Sequence, residues 1–327
     1  MSGWIPANSD QGAGVPEGRA RARDLGIKIG IYEPGKHNAI TDVAGVKVGH
    51  VTLKSGDNVR TGVTAVIPRD DIWTNKLFGA GYAINGNGEA TGLAWANEAG
   101  WIESPIMLTN TLSIGPVHDG VVRYMIKRYP DNHIILPIVA ECYDGGLNDI
   151  SGLHVTAEHA IQAIENAVDG PVVEGCVGAG TGMRCYSFKA ELTPKRGRDG
   201  SFIIVVATDA PLVHRQLMQL AKRVTHGLAR TGTPSTVSSG EFVIAFSTAN
   251  TIPRRTDDGT FPITMLANRR MDALYQAVIE ATEEAILNSM TTAVTTIGRN
   301  GNTIYALPLD RLQAVMKQYG QLKSEGN

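Results

Sequence analysis

The stretch RGRDGSFIIVVATDAP, residues 196–211, changes abruptly from a polar, glycine-punctuated loop to a dense apolar run. The β-branched residues within 202–208 predict a strand that is buried on both faces. Ser201 stands at the boundary, and a small residue is an ordinary way for a loop to enter a strand. The alternative interpretation is that Ser201 is the reactive residue and that the loop before it is cut.

Further apolar runs of strand length lie on both sides of this stretch, with amphipathic patterns of helical period between them. The predicted strands are residues 45–53, 62–68, 132–141, 184–192, 202–208 and 241–248. The predicted helices are residues 116–129, residues 156–168, a helix that begins at Asp209 with Pro211 in its first turn, and residues 265–289. This mixture predicts an α/β fold of packed layers with buried sheets.

Composition narrows the class of protein. The chain has 327 residues, 43% hydrophobic and 19% charged, which suits one large core or two ordinary ones. The formal net charge is −2, and the basic cluster Lys195, Arg196 and Arg198 is short, so no nucleic-acid partner is expected. No apolar run is long enough to span a bilayer, and the first residues lack a signal-peptide pattern, so no membrane partner is expected either.

The cysteines and the N-terminal segment complete this outline. Cys142, Cys176 and Cys185 are odd in number and irregular in spacing, which favours reduced thiols in a cytoplasmic protein over a disulfide framework or a metal site. Residues 1–25 are rich in small residues and proline and are expected to form a flexible arm. Residues 26–327 are expected to form a single domain.

The usual catalytic motifs are missing from the sequence. It contains no GxxxxGK[ST], HExxH or GxSxG pattern, and the GAGTG run at 178–182 precedes a strand-like segment, so a phosphate-binding role is disfavoured. The eight histidines are scattered, and a histidine that could act as the base for a serine nucleophile is not evident. A serine nucleophile in this chain therefore needs another base.

A serine at the start of a chain carries its own base. Its free α-amine has an ordinary pKa of about 7.7–8.0, so at neutral pH a useful fraction can accept the hydroxyl proton. To reach that state, the hydroxyl must attack the preceding carbonyl, form an ester by an N→O acyl shift, and lose the upstream chain to water. Gly200 before Ser201 suits this chemistry because glycine tolerates a strained backbone.

Eight segments of the chain resemble the self-processing aminopeptidases typified by L-aminopeptidase/D-Ala-esterase/amidase and the β-peptidyl aminopeptidases, which form peptidase family S58. They occur in the family's order and cover most of the chain from about residue 25 to about residue 310. The segments are ITDVAGVKVGHVTL (40–53), GVTAVIPR (62–69), NGNGEATGL (85–93), PIMLTNTLSIGPVHDG (105–120), VAECYDGGLNDI (139–150), GAGTGM (178–183), GSFIIVVATDAPL (200–212) and SSGEFVIAFST (238–248).

The resemblance implies a four-layer αββα sandwich like that of N-terminal-nucleophile hydrolases. It also implies self-cleavage between Gly200 and Ser201 into chains 1–200 and 201–327, and assembly of the processed units into a homotetramer. Ser201 would be the nucleophile, and Ser239 and Glu241 would hold the new amine and orient its proton. No metal or cofactor is expected.

Two further residues carry over from the segment AECYDG. Glu141 would pair with the free ammonium of the substrate, and Tyr143 would lie near the reacting carbonyl. A partly desolvated carboxylate binds an ammonium group through a charge-assisted hydrogen bond, which is what an aminopeptidase requires.

One position departs from the family pattern. The family has an asparagine that donates to the tetrahedral oxyanion at the position of Cys176, and a thiol is a weak donor. Loss of such a donor costs on the order of 10²–10³ in rate in other hydrolases. A backbone amide or Asn110 could take its place, or the chemistry of this chain could be slower or different.

The expected reaction is attack by Ser201 on the carbonyl of an N-terminal residue in a short peptide, amide or ester, followed by hydrolysis of the acyl-enzyme. Three alternatives stay open: an acyltransferase of the ornithine acetyltransferase type, a linear-amide hydrolase on the same scaffold, and an unprocessed relative that is not an enzyme. The sequence does not separate α- from β-amino acids, or L from D.

Overall fold

A computed structural model describes residues 14–131, 133–184 and 201–322. The strands are β1 (Lys47–Ser55), β2 (Val59–Ile67), β3 (Asn75–Gly86), β4 (Trp101–Ile102), β5 (Ile106–Asn110), β6 (Ile138–Cys142), β7 (Phe202–Thr208), β8 (Gly240–Ser247), β9 (Ile252–Pro253), β10 (Thr296–Ile297) and β11 (Thr303–Ile304). The α-helices are α1 (Leu93–Ala99), α2 (Ile114–Arg128), α3 (Ala157–Glu165), α4 (His214–Arg230), α5 (Met271–Thr292) and α6 (Leu309–Gln318).

Two sheets contain most of the described strands. Sheet 1 has the order β1-β2-β5-β6, antiparallel except for the parallel pair β5 and β6. Sheet 2 has the order β4-β3-β8-β7, with β7 and β8 parallel and β9 paired to the start of β3. Each sheet therefore contains one parallel pair, which places the starts or ends of two strands side by side.

Three apolar clusters lie between successive layers. One joins α2 and α3 to sheet 1, a second joins the two sheets, and a third joins sheet 2 to α4 and α5. β8 contributes to two of these clusters because successive side chains of a strand point to opposite faces. Val243 and Ala245 face the helices, while Ile244 and Phe246 face sheet 1. The layers are α, β, β and α, which confirms the expected sandwich. β7 also contributes to both clusters, but it is only half-buried, since β8 is its only partner among the described strands.

The longest strand, β3, is missing from the predicted set because its sequence NKLFGAGYAING is rich in glycine. The glycines are required by packing. A Cβ atom at Gly79 would lie 2.7 Å from Ile102 Cγ2, and one at Gly81 would lie 2.7 Å from Leu93 Cδ2. Close contact with β4 and α1 therefore explains a strand that β-propensity disfavours. The strand predicted over 184–192 lies almost wholly outside the described residues.

The helix expected to begin at Asp209 begins at His214 instead. The carbonyl of Pro211 accepts a hydrogen bond of 2.8 Å from the amide of Leu266, and the side chain of Leu212 is fully buried. This tertiary pairing holds the chain out of the helix past the proline, which the local pattern did not reveal. The other predicted helices match α2, α3 and α5 with shifted ends.

The segment before β1 packs against the end of the chain. An apolar cluster joins it to α5, α6 and the segment after α6, and consists of Ala22, Leu25, Ile27 and Ile29 with Leu287, Leu309, Leu312, Met316 and Leu322. The arm boundary expected at residue 25 falls inside this packed segment, since Ala22 and Leu25 are both buried. Residues 1–13 of the expected arm lie outside the described residues.

A polar stripe on α5, here called the α5 clasp, holds the same segment and consists of Glu280, Glu284 and Asn288. The Glu280 carboxylate accepts hydrogen bonds of 3.0 and 3.1 Å from two consecutive backbone amides. Glu284 pairs with the Arg23 guanidinium at 2.8 Å, and Asn288 accepts from the Ala22 amide at 2.9 Å. None of the described helices is long and apolar enough to cross a membrane.

Candidate active site

The parallel pair in sheet 2 brings the first site residues together. Phe202 of β7 lies opposite Glu241 of β8, and the sheet partner β3 places Asn85 opposite the same glutamate. Ser201 directly precedes β7, and Ser239 directly precedes β8. Two serines and a carboxylate separated by up to 40 residues therefore meet at one end of sheet 2.

The two serines have different partners. The half-buried Ser201 accepts a hydrogen bond of 3.1 Å at Oγ from the backbone amide of Gly240. The hydroxyl of Ser239 donates to Glu241 Oε1 at 2.9 Å, and both of these side chains are fully buried. Glu241 Oε2 is also buried and has no hydrogen-bond partner among the described residues. A buried carboxylate oxygen that lacks a donor is ready to accept one beside the start of β7.

The residue on the other side of the expected cut, Gly200, lies outside the described residues. So do Cys185 and the basic cluster at 195–198. Of the two residues that flank the expected cleavage site, the structure therefore describes only Ser201, with its hydroxyl contact and its position before β7.

Asparagine side chains fix the turn that presents Ser239. The Asn85 amide donates to the carbonyls of Thr236 and Ser239, both at 2.6 Å. The Asn87 amide donates to the carbonyl of Ser238 at 2.9 Å. The end of β3 thus supports the start of β8 through side chains as well as through the strand ladder. The motif NGNGEATGL contains both asparagines, but their role was not predicted.

Glu141 approaches the site from sheet 1. It lies near the end of β6, is 3% exposed, and accepts hydrogen bonds from the Glu89 amide at 3.2 Å and from the Thr111 hydroxyl. Burial raises the pKa of Glu141, and these two donors oppose that rise. Gly88 lies between the sheets, since a Cβ atom there would be 2.7 Å from Glu141 Oε1 and 3.4 Å from the Gly240 Cα. The loop after β3 therefore bridges Glu141 to the strand start that holds Ser201.

Tyr143 follows Glu141 by two residues and points to solvent. Its side chain is 60% exposed, and the ring packs over Gly145. Tyr143 is therefore not a core residue, although it follows a buried strand. An exposed hydroxyl two residues beyond the buried carboxylate is accessible to a bound molecule.

Asn110 is buried and engaged elsewhere. Its amide donates to Thr61 Oγ1 at 2.8 Å, and its side-chain oxygen accepts from the Leu112 amide at 3.1 Å, which caps the 3-10 turn 111–113. No hydrogen bond joins Asn110 to Ser201 in the described part of the chain. Asn110 therefore caps this turn and links it to β2 through Thr61.

Cys176 contacts the C-terminal part of the chain. Its thiol lies 3.8 Å from the carbonyl of Val294 and accepts from the Thr296 hydroxyl at 3.6 Å. Among the described contacts, none links Cys176 to Ser201 or Glu241. Among the described residues, neither Asn110 nor Cys176 is hydrogen-bonded to Ser201, whereas the Gly240 amide is.

The described residues contain no group of three or more histidine, cysteine, aspartate or glutamate side chains placed to hold a metal ion. The ionisable groups of the site are carboxylates. Their arrangement can accept protons and bind cations, and the hydroxyls of Ser201, Ser239 and Thr111 lie beside them.

Comparison with known proteins gives one consistent result. The sequence model of peptidase family S58 matches residues 38–193 and 190–304. The chain is 38% identical to the beta-peptidyl aminopeptidase BapA of Sphingosinicella microcystinivorans, with 95% of each chain covered.

Two solved structures are similar over nearly the whole chain. The PH0078 protein of Pyrococcus horikoshii OT3 has a TM-score of 0.87 and 39% identity, covering 93% of this chain and 100% of its own. The L-aminopeptidase D-Ala-esterase/amidase of Ochrobactrum anthropi has a TM-score of 0.86 and 35% identity, covering 93% and 99%. The latter is described as a prototype for the serine aminopeptidases and a new variant among the Ntn hydrolase fold.

Proposed function

The chain belongs to peptidase family S58 and is a serine aminopeptidase with the Ntn hydrolase fold, and from this premise we propose how its residues act. The protein cuts itself between Gly200 and Ser201. It then releases N-terminal residues, α- or β-amino acids, from short peptides, amides or esters through an acyl-enzyme on Ser201. The observation that carries this proposal is the buried Ser239–Glu241 pair beside Ser201, in which one carboxylate oxygen has no donor from the described part of the chain.

Self-cleavage rearranges one peptide bond. Ser201 Oγ attacks the carbonyl carbon of Gly200, the C–N bond breaks, and the acyl group moves to oxygen while the nitrogen becomes an amine. Water then hydrolyses the ester, which leaves a carboxylate on Gly200 and a free hydroxyl and α-amine on Ser201. The Gly240 amide supports this step, because its hydrogen bond holds the Oγ atom at a fixed position.

The new α-amine serves as the base in the second reaction. It takes the Ser201 hydroxyl proton as Oγ attacks the substrate carbonyl, and it returns that proton to the leaving amine. Glu241 accepts a hydrogen bond from the amine at its available oxygen, and Ser239 keeps the carboxylate in place. This arrangement orients the base without a histidine.

Glu141 binds the substrate's ammonium group. Burial raises the pKa of Glu141 because the ionised form lacks water, and an incoming ammonium supplies the missing charge compensation. The position of Glu141 across Gly88 from the Gly240 strand start sets the distance between the amine and the reacting carbonyl. The exposed Tyr143 hydroxyl is suited to contact that carbonyl.

The oxyanion is stabilised by a backbone amide rather than by the side chains of Cys176 or Asn110. The Asn110 amide is bonded to Thr61 and the Cys176 thiol lies against Val294, so neither donor is directed at Ser201. We infer further that processed units form a homotetramer in the cytoplasm. This rests on the family resemblance and on the irregular cysteine spacing.

Intact mass and N-terminal sequencing test the proposal. The wild-type protein should appear as two chains, the smaller beginning Ser-Phe-Ile-Ile. The Ser201→Ala variant should stay at full length and hydrolyse no aminoacyl p-nitroanilide, because it has neither nucleophile nor free amine. Ser55→Ala, at the exposed end of β1, should be processed like wild type. An unprocessed wild-type protein, or cleavage at the same bond in Ser201→Ala, would refute self-processing by Ser201.

A panel of aminoacyl p-nitroanilides that includes β-homo residues defines the substrate. Release of p-nitroaniline from either group supports the aminopeptidase activity and shows which backbone is preferred. If the processed protein cleaves none of them but transfers acetyl groups from acetyl-ornithine to glutamate, the acyltransferase alternative is correct.

A further inference from the structure

Four almost fully buried polar residues lie at the same end of sheet 1 as Glu141 and take no part in the proposed reaction. They come from β2, from the end of β5 and from the turn after β6, and they are Thr61, Asn110, Asp144 and Asn148. Burial of polar groups costs free energy unless each is hydrogen-bonded, so such a group at one end of a sheet requires an explanation.

The hydrogen bonds of this group form two pairs. Asn148 donates to Asp144 Oδ1 at 3.1 Å and accepts from the Arg60 amide at 3.1 Å. Asn110 donates to the Thr61 hydroxyl at 2.8 Å. Thr61 Oγ1 is an acceptor in that bond, so its own hydrogen is left for another acceptor, and the Thr61 hydroxyl lowers the pKa of Asp144 as a donor to a carboxyl does.

Asp144 itself is incompletely satisfied. Its Oδ2 atom is buried and has no partner at hydrogen-bonding geometry among the described residues. Burial raises the pKa of Asp144 to about 6, and the side chains of Thr61, Asn148 and Asn110 limit the rise. A buried carboxyl whose ionised form is unfavourable lowers the stability of the fold, so stability does not explain its presence. Its presence therefore points to a role in the site.

Asn110 connects these buried residues to Glu141. The Asn110 side chain accepts from the Leu112 amide and so fixes the turn that begins at Thr111. The Thr111 hydroxyl donates to Glu141 Oε2. The orientation of the Asn110 side chain therefore determines where the hydroxyl that holds Glu141 lies.

We propose that Asp144 is a positioning residue that orients Thr61 and Asn110 and, through the turn at Thr111, sets the Glu141 carboxylate for the substrate's ammonium group. This inference rests on the proposed role of Glu141 as the amine-binding residue. Asp144 acts on substrate binding and not on the nucleophile, because its contacts lie in sheet 1 whereas Ser201 is held by sheet 2.

Asp144→Asn provides the direct test, with Asp149→Asn, a more exposed aspartate in the same turn, as the matched control. KM and kcat are measured with the aminoacyl p-nitroanilide that the wild-type protein cleaves fastest, and Ki is measured for n-propylamine as a competitive inhibitor. We expect KM and Ki to rise about tenfold, the effect of one hydrogen bond to a charged group, with kcat nearly constant. Self-cleavage, checked by intact mass, should be complete in both variants.

Thr61→Val and Thr61→Ser provide a second pair that does not alter the carboxyl group. Valine matches threonine in shape but lacks the hydroxyl between Asp144 and Asn110, so Ki for n-propylamine should rise as in Asp144→Asn. Serine restores the hydroxyl and should restore Ki. If Asp144→Asn does not fold, this pair decides the matter.

Two outcomes would overturn the inference. One is a fall in kcat at unchanged KM and Ki in Asp144→Asn. The other is wild-type Ki in both Asp144→Asn and Thr61→Val. Failure of the proposed function looks different, because the wild-type protein would then hydrolyse no aminoacyl p-nitroanilide at all.

Discussion

Two of the regions that contain buried carboxylates, the site and the α5 clasp, shift the pKa values of these groups in opposite directions. In the site, Glu141 and Asp144 have raised pKa values because burial outweighs their hydrogen bonds. In the α5 clasp, burial likewise favours a rise for Glu280, but donors from Gln276 and two backbone amides outweigh it and lower the pKa. All three side chains are 4% exposed or less, yet the balance between burial and hydrogen bonding differs among them.

The difference separates a structural charge from a functional one. The clasp provides enough donors to make ionised Glu280 stable, and the carboxylate ties the segment before β1 to α5. In the site, Asp144 Oδ2 and Glu241 Oε2 have no hydrogen-bond partner among the described residues, and burial raises the pKa of Glu141, so these groups are available for binding or proton transfer. Neutralising a carboxylate should therefore have opposite consequences in the two regions.

The largest expected effect is that of Glu141→Gln on activity. Loss of the charge that pairs with the substrate's ammonium should lower kcat/KM about a hundredfold, as for one partner of a buried ion pair. The free energy of unfolding should stay the same or rise, because the amide avoids the cost of burying a charge. Steady-state kinetics and urea unfolding measure both quantities, with Glu98→Gln on the exposed face of α1 as the control. Loss of stability with full activity would contradict the assignment of Glu141.

Asp144 should make stability depend on pH with a sign opposite to ordinary acid denaturation. Its folded pKa of about 6 lies above the unfolded value, so the folded state binds more protons between about pH 4 and pH 6. The contribution of Asp144 therefore favours folding at low pH and is lost as the pH rises through 6.

The Asp144→Asn variant reveals this contribution. Relative to wild type, it should gain stability between pH 4 and pH 7 by up to about 3 kcal/mol, the equivalent of two pKa units. Urea unfolding at both pH values gives the difference. If the variant and the wild type change in parallel with pH, Asp144 does not have a raised pKa.

Glu280→Gln should show the smallest effect and the reverse sign. Loss of a carboxylate that accepts two backbone amides should reduce the free energy of unfolding by about 2 kcal/mol at pH 7. Because the folded pKa of Glu280 is lowered, this difference should shrink as the pH falls through that folded value.

Glu283→Gln is the control for Glu280, since Glu283 pairs with Arg230 at the surface of the same helix, where ion pairs contribute little. The kcat/KM value should be unchanged in both variants. A loss of activity in Glu280→Gln without a loss of stability would show that the clasp and the site are not separate.

Sequence patterns predicted the strands that carry long apolar runs and the helices that carry an amphipathic period. β1, β2, β7 and β8 match four of the predicted strands closely, and α2, α3 and α5 lie where the amphipathic patterns were found. The failures have tertiary causes. β3 carries glycines because neighbouring side chains press on it, and α4 begins late because Leu266 holds Pro211 outside the helix.

Within the site, the sequence by itself predicted Ser201, Ser239, Glu241 and Glu141 as site residues through their motifs, and its strand patterns determined that the first three stand at strand starts. Only the tertiary structure decided which carboxylates lack donors. The partners of Glu141 are 30 and 52 residues away, and those of Glu280 are up to 249 residues away. The donors around a buried carboxylate and the depth of its burial both depend on long-range packing, and their balance sets whether the charge stabilises the fold or remains available for chemistry.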